Sequence, residues 1–184
     1  TVEETMTAFN DLIEEGKVRY IGESNMSADR IKASNDFARK NNLSPYISLE
    51  PLYNLYDREK FETEYASLAK EEPLAVLPYY SLASGFLTGK YRSEADFNKS
   101  PRGERMKKYL NERGSKILSA MDEVAKEQNV PLSQIAIAWL LHKPLVTSAI
   151  ASATNEKQLN ELIHAASMEL SNEQMAKLDE ASAI

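Results

Sequence analysis

The chain has 184 residues, with 22 Lys and Arg against 28 Asp and Glu, so its formal net charge is −6. Hydrophobic residues at 42% and charged residues at 27% give a globular balance on a length that suits one domain. The absence of cysteine excludes disulfides, thiolate metal sites and cysteine nucleophiles, and the acidic balance argues against a general binder of nucleic-acid backbones while leaving room for one anionic cofactor on a local basic patch.

Val2, Met6, Phe9, Leu12 and Ile13 share one face of an amphipathic helix, with Gly16 as its stop. Thr1, which is not Met, opens directly into this helical pattern, so a piece of a longer protein is expected. Val18 to Gly22 is short and β-prone and reads as a strand. Ser27 caps the next helix, with Ile31, Phe37 and Ala38 inward, up to Asn41 and Asn42. Tyr46 to Leu49 reads as a second strand, closed by Pro51. Phe61, Tyr65, Leu68 and Ala69 form another helical face, and Leu74 to Leu77 a third strand ended by Pro78. Residues 80 to about 104 hold Gly85, Gly89, Pro101 and Gly103 among polar residues and read as a long functional or mobile loop. Ile117, Leu118, Met121, Val124 and Ala125 mark a helix. Pro131 interrupts it, and Ile135, Ala136, Trp139 and Leu140 restart a shorter one. Leu145 to Ile150 reads as a fourth strand. Leu159, Leu162, Ile163 and Ala166 are expected inward on the following helix, and Ser171 with Gln174 forms a capping box for the last. No apolar run approaches the roughly 20 residues needed to cross a bilayer. No basic-then-apolar leader is present, so a cytoplasmic location is expected.

Alternating helices and short buried strands mean an α/β fold with a parallel sheet. An open doubly wound sheet should carry a glycine-rich turn after its first strand, and Ile21-Gly22-Glu23-Ser24-Asn25 has one glycine only. A closed (β/α)8 barrel needs eight strands and typically ~250 residues. Four strands therefore suit about half of such a barrel, with two open edges through which copies of the chain could associate.

Five ordered motifs carry a resemblance over essentially the whole chain. Lys17 to Asn25 resembles the GKVRYIGxSN segment of aldo-keto reductases. Leu49 to Arg58 is similar to their QPxYNLxxR strand, and Tyr80 to Tyr91 to their YSPLxxGxLTGKY loop. Gln134 to Leu141 is similar to the QxALAWLL helix, and Ala151 to Thr154 with Gln158 and Leu159 to the GATxxxQL turn. The bacterial, oxidoreductase-like branch matches these loops best. The resemblance implies a (β/α)8 TIM barrel, here as its C-terminal half of about four parallel strands with outer helices, forming residues 1–184 of a single domain whose N-terminal half is not in this sequence. It implies an NADP(H)-dependent oxidoreductase that reduces small aldehydes and ketones to alcohols without a metal. The family's catalytic Asp, Tyr, Lys and His lie upstream, so no catalytic residue is assigned; Lys17, Tyr20 and His142 are not taken as substitutes.

The cofactor-binding residues follow from these matches. Ser24 and Asn25 would hold the nicotinamide carboxamide, although such residues also favour a plain turn before a helix cap. Glu50 stands where the family usually has Gln. Its carboxylate can accept from the carboxamide but donates nothing, and it would tilt affinity toward the oxidised cofactor; the alternative is a solvent-facing Glu or one paired with Arg58. Tyr80 would stack on the ring, with core packing of Tyr79 or Tyr80 as the plain alternative, and strand alternation lets only one of the two point into the site. Ser81, Leu82, Gly85, Leu87 and Lys90 would cover the pyrophosphate. Ser152, in place of the usual Gly, would join Thr154 and Gln158 at a helix N-terminus near the 2′-phosphate, with Lys157 as a further partner and Glu161 near the adenine amino group. Arg102, Arg105, Lys107, Lys108, Arg113 and Lys116 form a basic cluster that reads either as a solvated face or as an attractor of cofactor phosphates. His142 and His164 are isolated helix-end or surface residues. Two other classes were weighed. A helix-turn-helix nucleic-acid module around Pro131 to Trp139 is opposed by the strand at 145–150 and the net charge, and a non-catalytic half-barrel would self-associate through its open edges.

Overall fold

In a computed structural model the protein is described for residues 1–99 and 103–184. Arg102 and Pro101 therefore lie outside the described residues. The order is α1 (Val2–Glu14), β1 (Gly22–Ser24), α2 (Ala28–Lys40), β2 (Ser48–Glu50), a π-turn (Phe61–Tyr65) running into α3 (Ala66–Glu71), and β3 (Ala75–Val76). Three 3-10 turns follow (Ala83–Thr88, Glu94–Lys99, Gly103–Tyr109), then α4 (Glu112–Gln128), α5 (Leu132–Leu141), α6 (Glu156–Ala165) and α7 (Asn172–Ala181).

Local chemistry sets the helix ends. Thr1 and Glu4 form a capping box on α1, Ser27 accepts from the Arg30 N–H at the start of α2, and Ser171 with Gln174 forms the expected capping box on α7. Asn129 ends α4 at φ 55, in the left-handed region that Asn tolerates better than other side chains.

The sheet is parallel, in the order β1-β2-β3, with Gly22 opposite Ser48, Glu23 opposite Leu49, and Leu49 opposite Val76. Glu23, Leu49 and Val76 thus form one buried row. On the other face Gly22 and Ser24 are exposed and Ser48 and Glu50 partly so. A Cβ on Gly22 would meet the Ser48 Oγ at 2.0 Å and the Ser48 carbonyl oxygen at 3.2 Å, so a larger residue there would have to turn the Ser48 side chain aside.

The strands are shorter than the sequence suggests. The first begins at Gly22 rather than Val18, because its ladder starts only where the Ile47 N–H reaches the Ile21 carbonyl at 3.0 Å; Tyr20 is left 71% exposed. The expected fourth strand at 145–150 is reduced to a single bridge between Val76 and Val146. There the Thr147 Oγ1 takes the Val76 N–H at 3.2 Å, and Pro78 has no N–H to continue the ladder. The segment still runs beside β3, with Thr147 N–H on the Val76 carbonyl at 2.9 Å and Ile150 N–H on the Pro78 carbonyl at 2.9 Å. The sheet therefore has three strands and a bridged edge, not four strands.

The segment expected as a long loop is instead folded against the core. Phe86, Leu87 and Tyr91 are buried in it, Met106 and Tyr109 are buried just after it, and the Phe86 and Tyr109 rings stack at 5.0 Å. The helix α5 is buried from Ser133 to Leu140 on all sides, so it offers no face to a DNA groove. On α6 the expectation fails for part of its apolar stripe. Leu159 is 50% and Ile163 58% exposed, since no described residue packs over that face.

One polar network pins the C-terminal helix to the β2–α3 connection. Buried Arg58 donates to the Asp179 carboxylate at 3.1 Å and to the Ser182 Oγ at 2.6 Å, and its guanidinium lies 5.1 Å from the Trp139 ring. Asp179 also accepts from Trp139 Nε1 at 2.9 Å and Lys143 Nζ at 2.6 Å. Burial pushes the Asp179 carboxyl up, but the bonds from Lys143 and Trp139 and the charges of Lys143 and Arg58 outweigh it and hold it below the usual carboxylate range. Its contribution to stability is therefore present above the unfolded-state value of ~3.9 and lost as pH falls through its lower folded value. Arg58→Met should cost about 3 kcal/mol in urea unfolding at neutral pH, the low end for a broken buried pair because Asp179 keeps Lys143 and is about a third exposed. Asp179→Asn should narrow its deficit to the wild type as pH falls from ~3.9 through the lower folded-state value.

Candidate functional site

The C-terminal ends of adjacent parallel strands converge on one rim. Ser24, the last residue of β1, donates through Oγ to the Glu50 carbonyl at the end of β2 at 2.9 Å. Asn25 Nδ2 donates to the Ser24 Oγ at 2.9 Å, and Asn25 Oδ1 accepts from the Tyr79 hydroxyl at 2.7 Å. Tyr79 in turn bridges to Leu52 beyond β2. Ser81 Oγ donates to the Ile150 carbonyl at 2.8 Å and to the Pro78 carbonyl at 3.2 Å, which ties the β3 end to the bridged edge. Asn54, buried, donates from Nδ2 to the Tyr80 carbonyl at 3.1 Å while its Oδ1 accepts from the N–H groups of Tyr56 and Asp57.

Asn25 is exposed at φ 66, and its amide is held on both ends by Ser24 and Tyr79. Glu50 is partly buried; its backbone carbonyl, not its carboxylate, makes the bond to Ser24. Tyr79 and Tyr80 meet edge to face at 5.2 Å. It is Tyr79 whose side chain reaches Asn25, with its hydroxyl pushed up by burial. Tyr80 is 52% exposed. The motif match assigns ring stacking to Tyr80; the left-handed φ of 53 at Tyr80 breaks strand alternation at that residue, so Tyr79 reaches Asn25 while the Tyr80 ring stays exposed beside it.

After Ser81, the chain enters a strained turn. Ala83 (φ 47) and Ser84 (φ 56) are left-handed without being glycine, and Gly85 (φ 104) follows. Such residues cost of order 1–2 kcal/mol each and gather at functional sites. Glycine is favoured at 85 by its φ of 104, and the lysine stem of Lys90 folds back over the turn, its Cε 3.4 Å from where a Cβ would stand, an ordinary contact. Leu82 is partly buried, Leu87 fully buried in the core, and Lys90 exposed with its ammonium 5.1 Å from the Tyr91 ring. Leu87 thus packs as a core residue.

At the start of α6, Gln158 Oε1 accepts from both the N–H and the Oγ1 of Thr154, at 2.9 and 3.0 Å, and the Gln158 N–H is capped by Asn155 Oδ1. These donors already have partners within the turn. Ser152 and Lys157 are exposed. Glu161 accepts from the Ser133 Oγ of α5 at 2.8 Å and lines a shallow groove with Pro131, Glu156, Lys157, Asn160 and His164. No hydrogen bond or ring contact joins this group to the Asn25–Tyr79 rim among the described residues.

Three members of the basic cluster are tied to the fold, while Arg105 and Lys107 are exposed. Arg113 donates to the Tyr56 and Ser182 carbonyls at 2.9 Å each, Lys116 to the Glu180 carbonyl at 3.4 Å, and Lys108 lies 3.6 Å from Asp57. Tyr109, Asp57 and Lys108 sit together, yet Tyr109 donates to Asp57 at 2.9 Å, and burial and the Asp57 charge push its hydroxyl far up. That is the reverse of an activated acid. His142, at the end of α5, accepts from the Leu170 N–H through Nε2 at 3.1 Å and faces the Ala138 carbonyl through Nδ1 at 2.8 Å, which fits the Nδ1-protonated tautomer. Among the described residues no three His, Asp or Glu side chains gather as a metal-ligand set, and no helix is long and apolar enough to cross a membrane.

The strand-end rim, together with the order of its motifs, defines a class. The model of the Aldo/keto reductase family matches residues 1–183, and the chain belongs to that family. It is similar to aldo-keto reductase AFTS1 of Alternaria alternata, at 34% identity over 97% of this chain and 48% of that protein. It is 35% identical to a probable voltage-gated potassium channel subunit beta of Arabidopsis thaliana over 87% of this chain and 50% of that one. It is 30% identical to protein tas of Escherichia coli over 96% and 51% respectively. The chain thus spans about half the length of the curated relatives it matches.

If Tyr79 fastens Asn25 as described, Tyr79→Phe should cost about 1 kcal/mol in chemical denaturation. Tyr80→Phe should stay within ~0.5 kcal/mol of the wild type, because its ring is half exposed.

Proposed function

We propose that residues 1–184 are the C-terminal part of one (β/α)8 barrel domain whose rim binds NADP(H), in a cytoplasmic oxidoreductase that reduces small aldehydes and ketones to alcohols. The observation that carries this reading is the convergence of Ser24, Asn25, Glu50, Tyr79 and Ser81 at the C-terminal ends of neighbouring parallel strands, where barrel enzymes hold their ligands. The half-length match supports the assignment to half a barrel.

The rim fits a nicotinamide carboxamide. The Asn25 amide supplies both a donor and an acceptor, and its bonds to Ser24 and Tyr79 set its orientation. The exposed Tyr80 and the edge of Tyr79 offer an aromatic wall. The glycine turn at Gly85, with Lys90 folded over it, leaves backbone close to a pyrophosphate and a cation beside it. A 2′-phosphate near Ser152 would be met first by Lys157, because Gln158 already occupies the Thr154 donors. The reduced nicotinamide supplies the hydride when bound. Tyr79 and Tyr109 are both pushed up rather than down, so neither is tuned to give the carbonyl oxygen its proton. Glu50, at the usual Gln position, would favour the oxidised, cationic ring over the reduced one.

A second reading, a non-catalytic half-barrel that pairs with another copy, is favoured by the exposed Leu159 and Ile163. Light scattering across a concentration series separates it, since pairing requires a mass that doubles on concentration.

Titration of NADPH by its fluorescence should give saturable binding that weakens with salt, as the phosphate contacts are screened. Glu50→Gln should shift the ratio of the two dissociation constants toward NADPH. No binding by the full-length protein would remove the reading.

A further inference from the structure

Glu23 breaks the pattern of its row. Its neighbours across the sheet, Leu49 and Val76, are fully buried aliphatics, and Glu23 itself is only 5% exposed. A carboxyl in such a row costs stability unless it is paired. One oxygen, Oε2, accepts from the Met26 N–H at 2.9 Å. The other, Oε1, is buried without a hydrogen-bond partner, as is the nearby Tyr46 hydroxyl. The Met26 bond closes a turn over Ser24 and Asn25 and supports Asn25 at its left-handed φ of 66. On the other side Tyr65 donates to the Met26 carbonyl at 2.6 Å, so Met26 is gripped from both ends.

We infer that Glu23 is a positioning residue: its ionised carboxylate latches the Ser24–Met26 turn and so orients the Asn25 amide toward the nicotinamide. This rests on the cofactor reading above. The groups that face Glu23 are Lys60, just before the π-turn, and Glu64 within it, with Tyr65 beside them on Met26 and the Tyr46 hydroxyl from the segment entering β2; Arg30 of α2 acts on Tyr46. Burial pushes the Glu23 carboxyl above the usual range, against the Met26 bond and Lys60, with Glu64 adding to the rise. Two effects of pH then have opposite signs. The stability that Glu23 contributes is present below its unfolded value and lost as pH rises through its raised folded value. The grip on Met26 is strongest above that value, because a charged acceptor makes the stronger bond. A side chain kept for stability alone would favour acid, and the latch favours the ionised form.

The test follows two signals in the full-length protein between acid and neutral pH. The Met26 amide proton, read by NMR, should move with a single titration in the wild type and stay still in Glu23→Gln. The NADPH dissociation constant should rise about fivefold on acidification through that same midpoint, and in Glu23→Gln should sit near the acid value at every pH. A still Met26 amide in the wild type overturns the latch. A titrating amide with NADPH affinity unchanged by pH or by Glu23→Gln overturns the positioning role and leaves the cofactor reading standing. No NADPH binding by the wild type at any pH overturns both the cofactor reading and this role.

Discussion

Three side-chain bonds across strand ends fix the geometry on which the rest depends: Ser24 to the Glu50 carbonyl, Tyr79 to Asn25, and Ser81 to the Ile150 carbonyl. Strands two or three residues long hold little register by themselves. These bonds extend the parallel ladder past its last backbone pair and keep four chain segments on one rim. Each uses a polar side chain at or just beyond a strand end, and Ser24 and Ser81 pair backbone carbonyls there. The chemistry at the rim and the cohesion of the sheet are thus served by the same residues.

Behind the sheet, apolar packing carries the weight and one ionic network adds direction. Trp139 on the all-buried α5 packs against Tyr53 at 5.3 Å, with the Arg58 guanidinium on its face and Asp179 on its indole N–H. This brings α7, the connection after β2 and α5 to one point. A buried cluster of charges with several bonds each favours one arrangement over near alternatives more than it adds net stability. The strained turn from Tyr80 to Gly85 is held between the β3 end and the packed 3-10 turns that follow it.

Helix positions were legible in the sequence because their signals are local: caps at Ser27 and Ser171, apolar steps of three and four, and a left-handed end at Gly16. Strand limits were less so. Where β1 starts depends on where Ile47 arrives beside it, and the loss of the fourth strand depends on a threonine side chain that takes a backbone partner's place. Leu159 and Ile163 show the converse, since an apolar stripe says that a face wants covering and not that this chain covers it. The family was readable from ordered motifs, and the rim's convergence from strand ends. The Tyr79–Asn25 bond was not, because it rests on one left-handed residue, Tyr80. Nor was the latch at Glu23, visible only once Leu49 and Val76 are seen beside it.

The most direct test of the rim as a nicotinamide dinucleotide site is a map of backbone amide shifts as NADPH is added to the full-length protein. The account predicts that the amides of Asn25, Tyr80, Ser81 and Gly85 move together and saturate at one dissociation constant. Saturating shifts confined to other surfaces, with these four amides unmoved, would contradict it.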